Sequence, residues 1–371
     1  MTASTASTGQ LEYTEAELLA SHDYAEPLFA GGIRCHGGFD AEGRYVSPRT
    51  RHRVPAIAAW QAKHSTDFGT DLLGLPLDTW PEHYPNVAQA RFLVSAGVPE
   101  PVISTLTRIG TVEGFGAMIR HSVVPDLRRV VDEDVRGTAL AHLGGGLYEA
   151  HARDEAGFED EGGHKQMWFA ARDVAFEDPV TEDETALMLQ RMGIPVGAGG
   201  RPDAAARRAL PERTWPSDTD ADLELLTTRM VRLLLIEISA FHAFAWAEEL
   251  LADPDLVAGD GEAARLVSYI RADETPHVEY LRTVLSELRD RTVVGDGGRR
   301  HPGAVLVGGT WDRALAQSLG PNRADGLEVT WREVVHAIGD RPGSADLLHE
   351  FDALGSARRQ ADGTWVQAAA A

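Results

Sequence analysis

Apolar residues recur every three or four positions over long stretches of the chain, which is the pattern of amphipathic helices. In the clearest stretch, residues 265–290, one face carries Leu266, Ile270, His277, Tyr280, Leu281, Val284 and Leu288. A second stretch, about 220–252, is apolar on every side, which is typical of a helix buried in a core. Further helices are predicted over about 87–96, from Pro99 to about Val124, across most of 126–175, over about 182–192, and near 311–319, 329–338 and 344–354. The sequence therefore predicts an all-α fold.

Glycine and proline clusters divide the chain into four segments. Residues 1–30 are predicted to be partly disordered, since the first ten are mostly Thr, Ser and Ala. Residues 31–98 are predicted to be a loop-rich segment that packs on the core. Residues 99–295 are predicted to form the helical bundle that holds the candidate metal ligands, with a connector over 177–218 that is rich in Pro, Gly and acidic residues. Residues 296–371 are predicted to be a C-terminal helical extension.

Charge and cysteine content exclude several classes of function. The 371 residues carry a formal net charge of −22, which argues against binding nucleic acid or an anionic membrane through a broad basic surface. A single cysteine, Cys35, excludes an intrachain disulfide and a thiolate metal cluster. The first residues lack the basic and apolar regions of a signal peptide, so we expect a cytoplasmic protein. The most apolar run, 230–251, contains Arg232, Glu237 and His242, which favours a buried helix over a membrane span.

The motif Asp-Glu-x-x-His occurs twice, at 160–164 and at 273–277. A Glu and a His three residues apart lie on one face of a helix and can reach the same metal ion. Gly162 and Gly163 fill the spacer positions of the first copy, so a helix there is intrinsically weak. A third Glu-x-x-His, at 333–336, follows an arginine and is interpreted as a coincidence.

Two further glutamates lie on predicted helices outside the motifs. Glu237 is in the middle of the buried 220–252 stretch, where an ionised carboxylate is costly unless it is paired or binds a metal. The other, Glu113, lies within the helix that follows Pro99. Four successive helices thus carry Glu, Glu-x-x-His, Glu and Glu-x-x-His. The candidate metal ligands are Glu113, Glu161, His164, Glu237, Glu274 and His277.

The spacing between Glu113 and Glu161 leaves alternative ligands open. These two glutamates are farther apart in sequence than the second pair, Glu237 and Glu274. A ligand at Glu149 would match the shorter spacing better, but no histidine follows three residues later. The alternative ligands in this stretch are Glu149, His151 and Glu155.

Four carboxylates and two imidazoles in this order are the ligand set of the ferritin-like di-iron carboxylate proteins. Residues 100–292 resemble the oxygen-activating branch of that superfamily. The resemblance implies a four-helix bundle with extra helices and loop-rich N- and C-terminal extensions, and a centre of two Fe ions, or a Mn/Fe pair, with O2 as co-substrate. In monooxygenases of this branch an Asp before a metal-binding Glu orients an imidazole, and the resemblance assigns this role to Asp160 and Asp273.

The resemblance and the donor set predict a non-haem di-iron oxidase or oxygenase that hydroxylates, desaturates or N-oxidises a small-molecule substrate. Such an enzyme takes electrons from a donor, expected to be a reductase or a ferredoxin-like protein, and we expect a homodimer. Two alternatives stay open, a ferritin-type ferroxidase that handles iron and a metal-free ferritin-like scaffold. The extra segments at both ends favour a covered substrate pocket over a ferroxidase, whose chains resemble a minimal four-helix bundle.

Overall fold

Helices form most of the described chain, and its strands are short and confined to small antiparallel sheets. The computed structural model describes residues 9–176, 180–191, 213–339, 341–360 and 362–367. The all-α prediction is confirmed at the level of fold class. Most of the first ten residues and much of the predicted connector lie outside the described residues.

The elements follow one another as α1 (Glu15–Leu18), β1 (Glu26–Ala30), β2 (Ile33–Phe39), β3 (Tyr45–Val46), α2 (Arg53–Phe68), α3 (Val87–Ser95), α4 (Glu100–Gly116), α5 (Leu127–Val130), α6 (Tyr148–Ala156), α7 (His164–Phe176), α8 (Glu182–Arg191), α9 (Ala221–Leu251), α10 (Glu262–Arg289), β4 (Thr292–Val294), β5 (Arg300–Pro302), α11 (Gly303–Gln317), α12 (Arg323–Ile338), α13 (Ser344–Ala353), β6 (Ala357–Arg359) and β7 (Trp365–Gln367). Short 3-10 turns lie at Leu77–Thr79, Ala117–His121, Leu140–His142 and Asp296–Gly298, and π-helical turns at Leu143–Leu147 and Ser318–Asn322.

Four of the longer helices, α4, α7, α9 and α10, pack around the main core. Helix α10 contacts α9 and α7 along much of its length, and α7 in turn packs on α4. Helices α4 and α9 contact each other at few positions, so a cleft separates them. The shorter α6 packs against α4 and α7.

Helix α9 is the buried central helix that the sequence predicts. Its N-terminus is capped by Asp220, which accepts a hydrogen bond from the Leu223 amide, as aspartates at this position commonly do. Its length and composition would allow it to cross a membrane, but 67% of its most apolar window is buried within the protein. It is therefore a core helix of this fold.

The segment around the first Asp-Glu-x-x-His motif is a turn between two helices. Helix α6 ends at Ala156, and Gly157 follows with a φ of 81°, which glycine adopts without strain. Phe158 and Glu161 then exchange two backbone hydrogen bonds that close the turn. The next residue, Gly162, pairs with β2, because its amide donates to Arg34 and its carbonyl accepts from His36. Glu161 and His164 are therefore not on one helix.

The N-terminal part of the chain is more regular than the loop-rich prediction. Strands β1, β2 and β3 form an antiparallel sheet in that order, with Glu26 opposite Phe39 and Ala30 opposite Ile33. The 16-residue α2 is absent from the sequence prediction because the preceding turn residues mask its start. Its Pro55 lies in the first turn, where the missing amide hydrogen removes no helical hydrogen bond.

The three C-terminal helices lie at the predicted places, but α11 and α12 begin earlier than predicted, whereas α13 begins at Ser344 as expected. Helix α11 starts at Gly303 and includes Gly308 and Gly309, two residues that predict a loop from sequence. Helix α12 starts directly after the π-helical turn that contains Pro321. Packing of these helices on the core outweighs the cost of the glycines, about 1 kcal/mol each relative to alanine.

Away from the candidate ligands, the buried Glu287 of α10 makes stability depend on pH. Its carboxylate accepts hydrogen bonds from the Ala139 and Leu140 amides, yet burial raises the pKa of Glu287 to about 7. An unfolded Glu has a pKa of about 4.3. This group therefore stabilises the fold fully below about pH 4, and its contribution, on the order of 3 kcal/mol, is lost as pH rises to about 7.

We expect Glu287→Gln to remove this contribution. Between pH 5 and 7 the free energy of unfolding, measured with urea, should fall less steeply with rising pH in the variant than in the wild type. The comparison isolates Glu287 because all other titrating groups are shared. Equal slopes in the two proteins would contradict the assignment.

Candidate metal centre

Four glutamate side chains converge on one buried space beside the core. They come from α4, α6, α9 and α10 and are, in that order, Glu113, Glu155, Glu237 and Glu274. Each is at most 6% exposed. Three buried histidines from α6, α7 and α10 lie among them, namely His151, His164 and His277.

These side chains fall into two overlapping groups, in each of which the ligand atoms all lie within 4.8 Å of one another. The first group consists of Glu113, Glu155, His164 and Glu274. The second group consists of His151, Glu155, Glu237 and His277. Each group offers both carboxylate oxygen and imidazole nitrogen, so each has the donors for one metal ion.

Two carboxylates connect the groups. Glu155 Oε2 lies 3.5 Å from His164 Nδ1, whereas its Oε1 lies 3.3 Å from His277 Nδ1. Glu274 is arranged in the same way, with Oε1 2.8 Å from His164 Nδ1 and Oε2 2.7 Å from His277 Nδ1. Each carboxylate thus places one oxygen toward either group, the arrangement in which a carboxylate bridges two ions. Glu113 and Glu237 approach one group each.

Several donor atoms of the two groups are buried without a hydrogen-bond partner among the described residues. They are Glu113 Oε2, His151 Nε2 and Glu155 Oε2. His164 Nδ1 and Glu274 Oε1 lie 2.8 Å apart but do not form a hydrogen bond with each other. Such atoms are rare in proteins because each costs about 1–3 kcal/mol. Metal ions would provide the partners that these atoms lack, so the residues present fit a two-metal centre.

The electrostatics of the space also call for cations. Burial and the neighbouring carboxylates raise the pKa of Glu113 and the pKa of Glu237 well above the ordinary value. Burial would also raise the pKa of Glu274, but the facing imidazoles of His164 and His277 outweigh burial and hold it well below the ordinary range. Two divalent cations would balance the four carboxylates.

Asp273 holds the outer side of His164. Its Oδ2 lies 3.6 Å from His164 Nε2, which leaves Nδ1 of the same ring facing the first group. Asp273 also lies 3.0 Å from His36 Nε2, and its two oxygens share one hydrogen bond from the Tyr45 hydroxyl, at 3.0 and 2.9 Å. His36 and Tyr45 come from β2 and β3, so the N-terminal sheet supports the candidate centre.

Asp154 does the same for His277. It accepts a hydrogen bond of 3.0 Å from His277 Nε2, which leaves Nδ1 facing the glutamates. Two buried arginines bind Asp154 in turn, with Arg49 Nε at 2.7 Å and Arg53 Nη2 at 2.7 Å. Burial would raise the pKa of Asp154, but these two guanidinium groups hold it well below its ordinary value.

The two aspartates are crossed. Asp154 of α6 directly precedes one connecting glutamate but binds His277 of α10. Asp273 of α10 directly precedes the other but faces His164 of α7. An outer carboxylate that binds a metal-ligating imidazole typically contributes 10- to 100-fold in metal affinity. In this chain each histidine would receive that contribution from an aspartate on a different helix, His277 of α10 from Asp154 of α6 and His164 of α7 from Asp273 of α10.

Five of the six predicted ligands lie in the two groups: Glu113, His164, Glu237, Glu274 and His277. The prediction for Glu161 and Asp160 is corrected by the structure. Both lie on the turn between α6 and α7 and bind Arg34 at the surface, where the Asp160 side chain is 71% exposed. Their places are taken by Glu155 and Asp154, which lie on the last turn of α6. Of the predicted outer aspartates, only Asp273 faces an imidazole.

Of the three alternative ligands predicted in the same stretch, two lie in the candidate centre and one does not. Glu155 and His151 belong to the second group, whereas Glu149 points away and binds Arg153 and Arg120. A sequence signal for Glu155 was present, because it also follows an Asp and lies one helical turn after His151. No local pattern pointed to Arg49, Arg53 or His36, which reach the site from distant segments.

Close backbone packing at Gly163 brings α6 and the start of α7 together. A Cβ atom there would collide with the Gly157 amide nitrogen and lie 2.5 Å from the Asp154 carbonyl oxygen. We expect Gly163→Ala to lower the free energy of unfolding by about 1–3 kcal/mol, because the backbone must move apart. It should also weaken metal binding, because His164 is the next residue.

Gly74→Ala is the matched control. A Cβ at Gly74 meets no atom within 4 Å, so this variant should keep or slightly gain stability. Urea unfolding and metal content measured for both variants check the prediction. If Gly163→Ala had the same free energy of unfolding and metal content as the wild type, the turn would have room for a Cβ atom at this position and the prediction would be wrong.

Two cavities reach the candidate centre through the cleft between α4 and α9. The first, called the Glu155 cavity, has a volume of about 360 Å³ and touches Glu113, Glu155 and Glu237. Its apolar wall consists of Val112, Phe115, Met118, Ile119, Leu233 and Ile236. The second, called the Trp80 cavity, has a volume of about 340 Å³ and touches only Glu113 of the candidate ligands. Both volumes are in the range of small-molecule sites.

Fold and site together define a mostly helical protein with a buried glutamate–histidine cluster that is compatible with a di-iron centre. No protein-family model matches the sequence, and neither a curated protein nor a solved structure is significantly similar to it. The likeness to the ferritin-like di-iron proteins therefore rests on the ligands and helices of this chain.

Proposed function

We propose that this protein binds two iron ions in the candidate metal centre and uses O2 to oxidise a small organic molecule. The observation that carries the proposal is the pair of carboxylates, Glu155 and Glu274, each of which has one oxygen near His164 of the first group and the other near His277 of the second. Oxygen and imidazole donors without thiolate suit iron or manganese. When bound, such a metal pair supplies the electrons that reduce O2.

The surrounding side chains fix which nitrogen of each imidazole would bind metal. Asp154 accepts from Nε2 of His277, and Asp273 faces Nε2 of His164, so in both rings Nδ1 faces the glutamates and is the nitrogen that would bind metal. In His151 the relation is reversed, because the Tyr280 hydroxyl lies 3.3 Å from Nδ1 and Nε2 faces the glutamates. The protein thus holds three imidazoles in place before a metal arrives.

The Glu155 cavity is the proposed place for the substrate. It borders three candidate ligands, and its wall is mainly apolar, so it would keep an organic substrate close to the metals and exclude water. A hydroxylation in this cavity consumes O2, two electrons and two protons, and yields the hydroxylated product and water. The single Cys35 is buried and unpaired, so the chain offers no dithiol as electron source, and an external donor is part of the proposal.

Anaerobic loading with ferrous iron tests the proposal. We expect about two iron ions per chain after removal of free metal, and consumption of O2 when air is admitted. The double variant Glu274→Ala, His277→Ala should lose this iron, because it removes ligands of both groups. Wild-type protein without iron, or iron that is indifferent to the double variant, would refute the two-metal proposal.

The same experiment separates an oxygenase from a ferroxidase. A ferroxidase would oxidise many ferrous ions per chain without an organic substrate and accumulate ferric iron. The proposed enzyme should stop after the resident ions are oxidised and continue only with a reductant and a substrate. Iron uptake far beyond the two-ion capacity would favour the ferroxidase.

A further inference from the structure

We propose that the Glu155 cavity takes a carboxylic acid with an apolar body, whose acid group is bound by Arg229 and Arg232. This inference rests on the proposed function and names its substrate class. Both arginines line the cavity and lie on the exposed face of α9, whereas the three glutamates at the other end are buried. The cavity is therefore cationic at its mouth, apolar along its walls and metal-binding at its base.

No acidic side chain among the described residues forms an ion pair with either arginine at the mouth. Within the described residues, Arg232 makes neither a hydrogen bond nor an ion pair. Arg229 lies 3.5 Å from the Ser122 hydroxyl, at the limit of a hydrogen bond. The residues that line the cavity include no acid other than the three buried glutamates. In a chain of net charge −22, two such arginines at one opening form a local site for an anion.

The distance along α9 between the two arginines and Glu237 limits the length of the ligand. Arg232 and Arg229 precede Glu237 by five and eight residues, which corresponds to roughly 7–12 Å along the helix axis. An acid group at the arginines therefore leaves room for an apolar body of about eight carbon atoms before the glutamates. The apolar side chains between the ends, such as Leu233 and Ile236, match such a body.

The Trp80 cavity is the weaker candidate for the same role. It also contains two arginines, but Arg108 donates a hydrogen bond to the Thr330 hydroxyl, and Arg323 donates one to the Glu82 carbonyl. It touches one candidate ligand instead of three. Its two arginines are thus already engaged by the protein.

Calorimetric titration of metal-free protein with n-octanoate tests the inference, because no metal can then bind the carboxylate. We expect octanoate to bind at least tenfold more tightly than 1-octanol, which has the same apolar body without the charge. Butanoate should bind at least tenfold more weakly than octanoate, because it leaves the apolar wall empty. Added salt should weaken octanoate binding and leave octanol binding unaffected.

The double variant Arg229→Gln, Arg232→Gln should lose the preference for octanoate over octanol. Arg129→Gln is the control, since Arg129 is exposed on α5 and does not line the cavity. Circular dichroism checks that all variants are folded. Equal binding of octanoate and octanol, no binding of either, or full octanoate binding by the double variant would overturn the inference. None of these results changes the iron content, so failure of the substrate class and failure of the metal centre remain distinguishable.

Discussion

Glu155→Ala is expected to abolish the binding of two metal ions. Among the described residues, Glu155 is the one that belongs to both ligand groups, with Oε1 3.5 Å from His151 Nε2 and Oε2 3.5 Å from His164 Nδ1. Its loss removes a donor from each group and one of the two carboxylates that connect them, so affinity should fall by more than the 10- to 100-fold typical of losing a carboxylate that only orients a ligand. Iron per chain after gel filtration of anaerobically loaded protein measures the effect.

Glu161→Ala is the matched control, six residues farther along the chain. It removes the same group, but Glu161 lies in the turn and binds Arg34 at the surface, 3.2 Å away. We expect this variant to keep the iron content of the wild type. If Glu161→Ala lost the iron and Glu155→Ala retained it, the centre would be built around the motif at 160–164 instead.

Asp154→Asn is expected to lower the free energy of unfolding of the metal-free protein by about 3–5 kcal/mol. Asp154 is the shared partner of Arg49 and Arg53, which are 4% and 0% exposed. Asparagine keeps the size of the side chain but removes the negative charge, so two buried guanidinium groups would lose their counter-charge. Urea unfolding at neutral pH, monitored by circular dichroism, measures the loss.

Asp160→Asn makes the same chemical change on the surface. Asp160 pairs with Arg34 at 2.9 Å, but both side chains are substantially exposed, and water screens the pair. This variant should unfold within about 0.5 kcal/mol of the wild type. A similar loss for both variants would mean that the Asp154 charge does not offset the cost of burying the arginines.

The ligands that could be predicted from sequence lie on long helices with strong periodicity. Glu237 is in the middle of a helix that is apolar on every side, and Glu274 and His277 share one face of α10. In such helices the position in sequence determines the position in space. Fold class and the order of the helices were predictable for the same reason.

The residues that could not be predicted depend on a break in local structure or on distant segments. The first Asp-Glu-x-x-His contains the same letters as the second, but Gly162 and Gly163 favour a turn, and the pairing of this turn with β2 fixes it there. The spacing rule of a helix then fails, and Glu155 replaces Glu161. The partners of Asp154, Arg49 and Arg53, lie about a hundred residues away in sequence, where no periodicity connects them.

The crossed aspartates have a consequence for how the protein is made. The side chains of the centre and their supports extend from His36 to His277, and each ligand group joins residues more than a hundred positions apart, so long loops must close before either group is complete. Contacts of such long range carry a large loop-closure entropy and form late in folding. A metal that binds only the finished fold adds about 2.7 kcal/mol per site when its free concentration is a hundred times the dissociation constant. The supply of metal during growth would then govern how much of this protein stays folded in the cell.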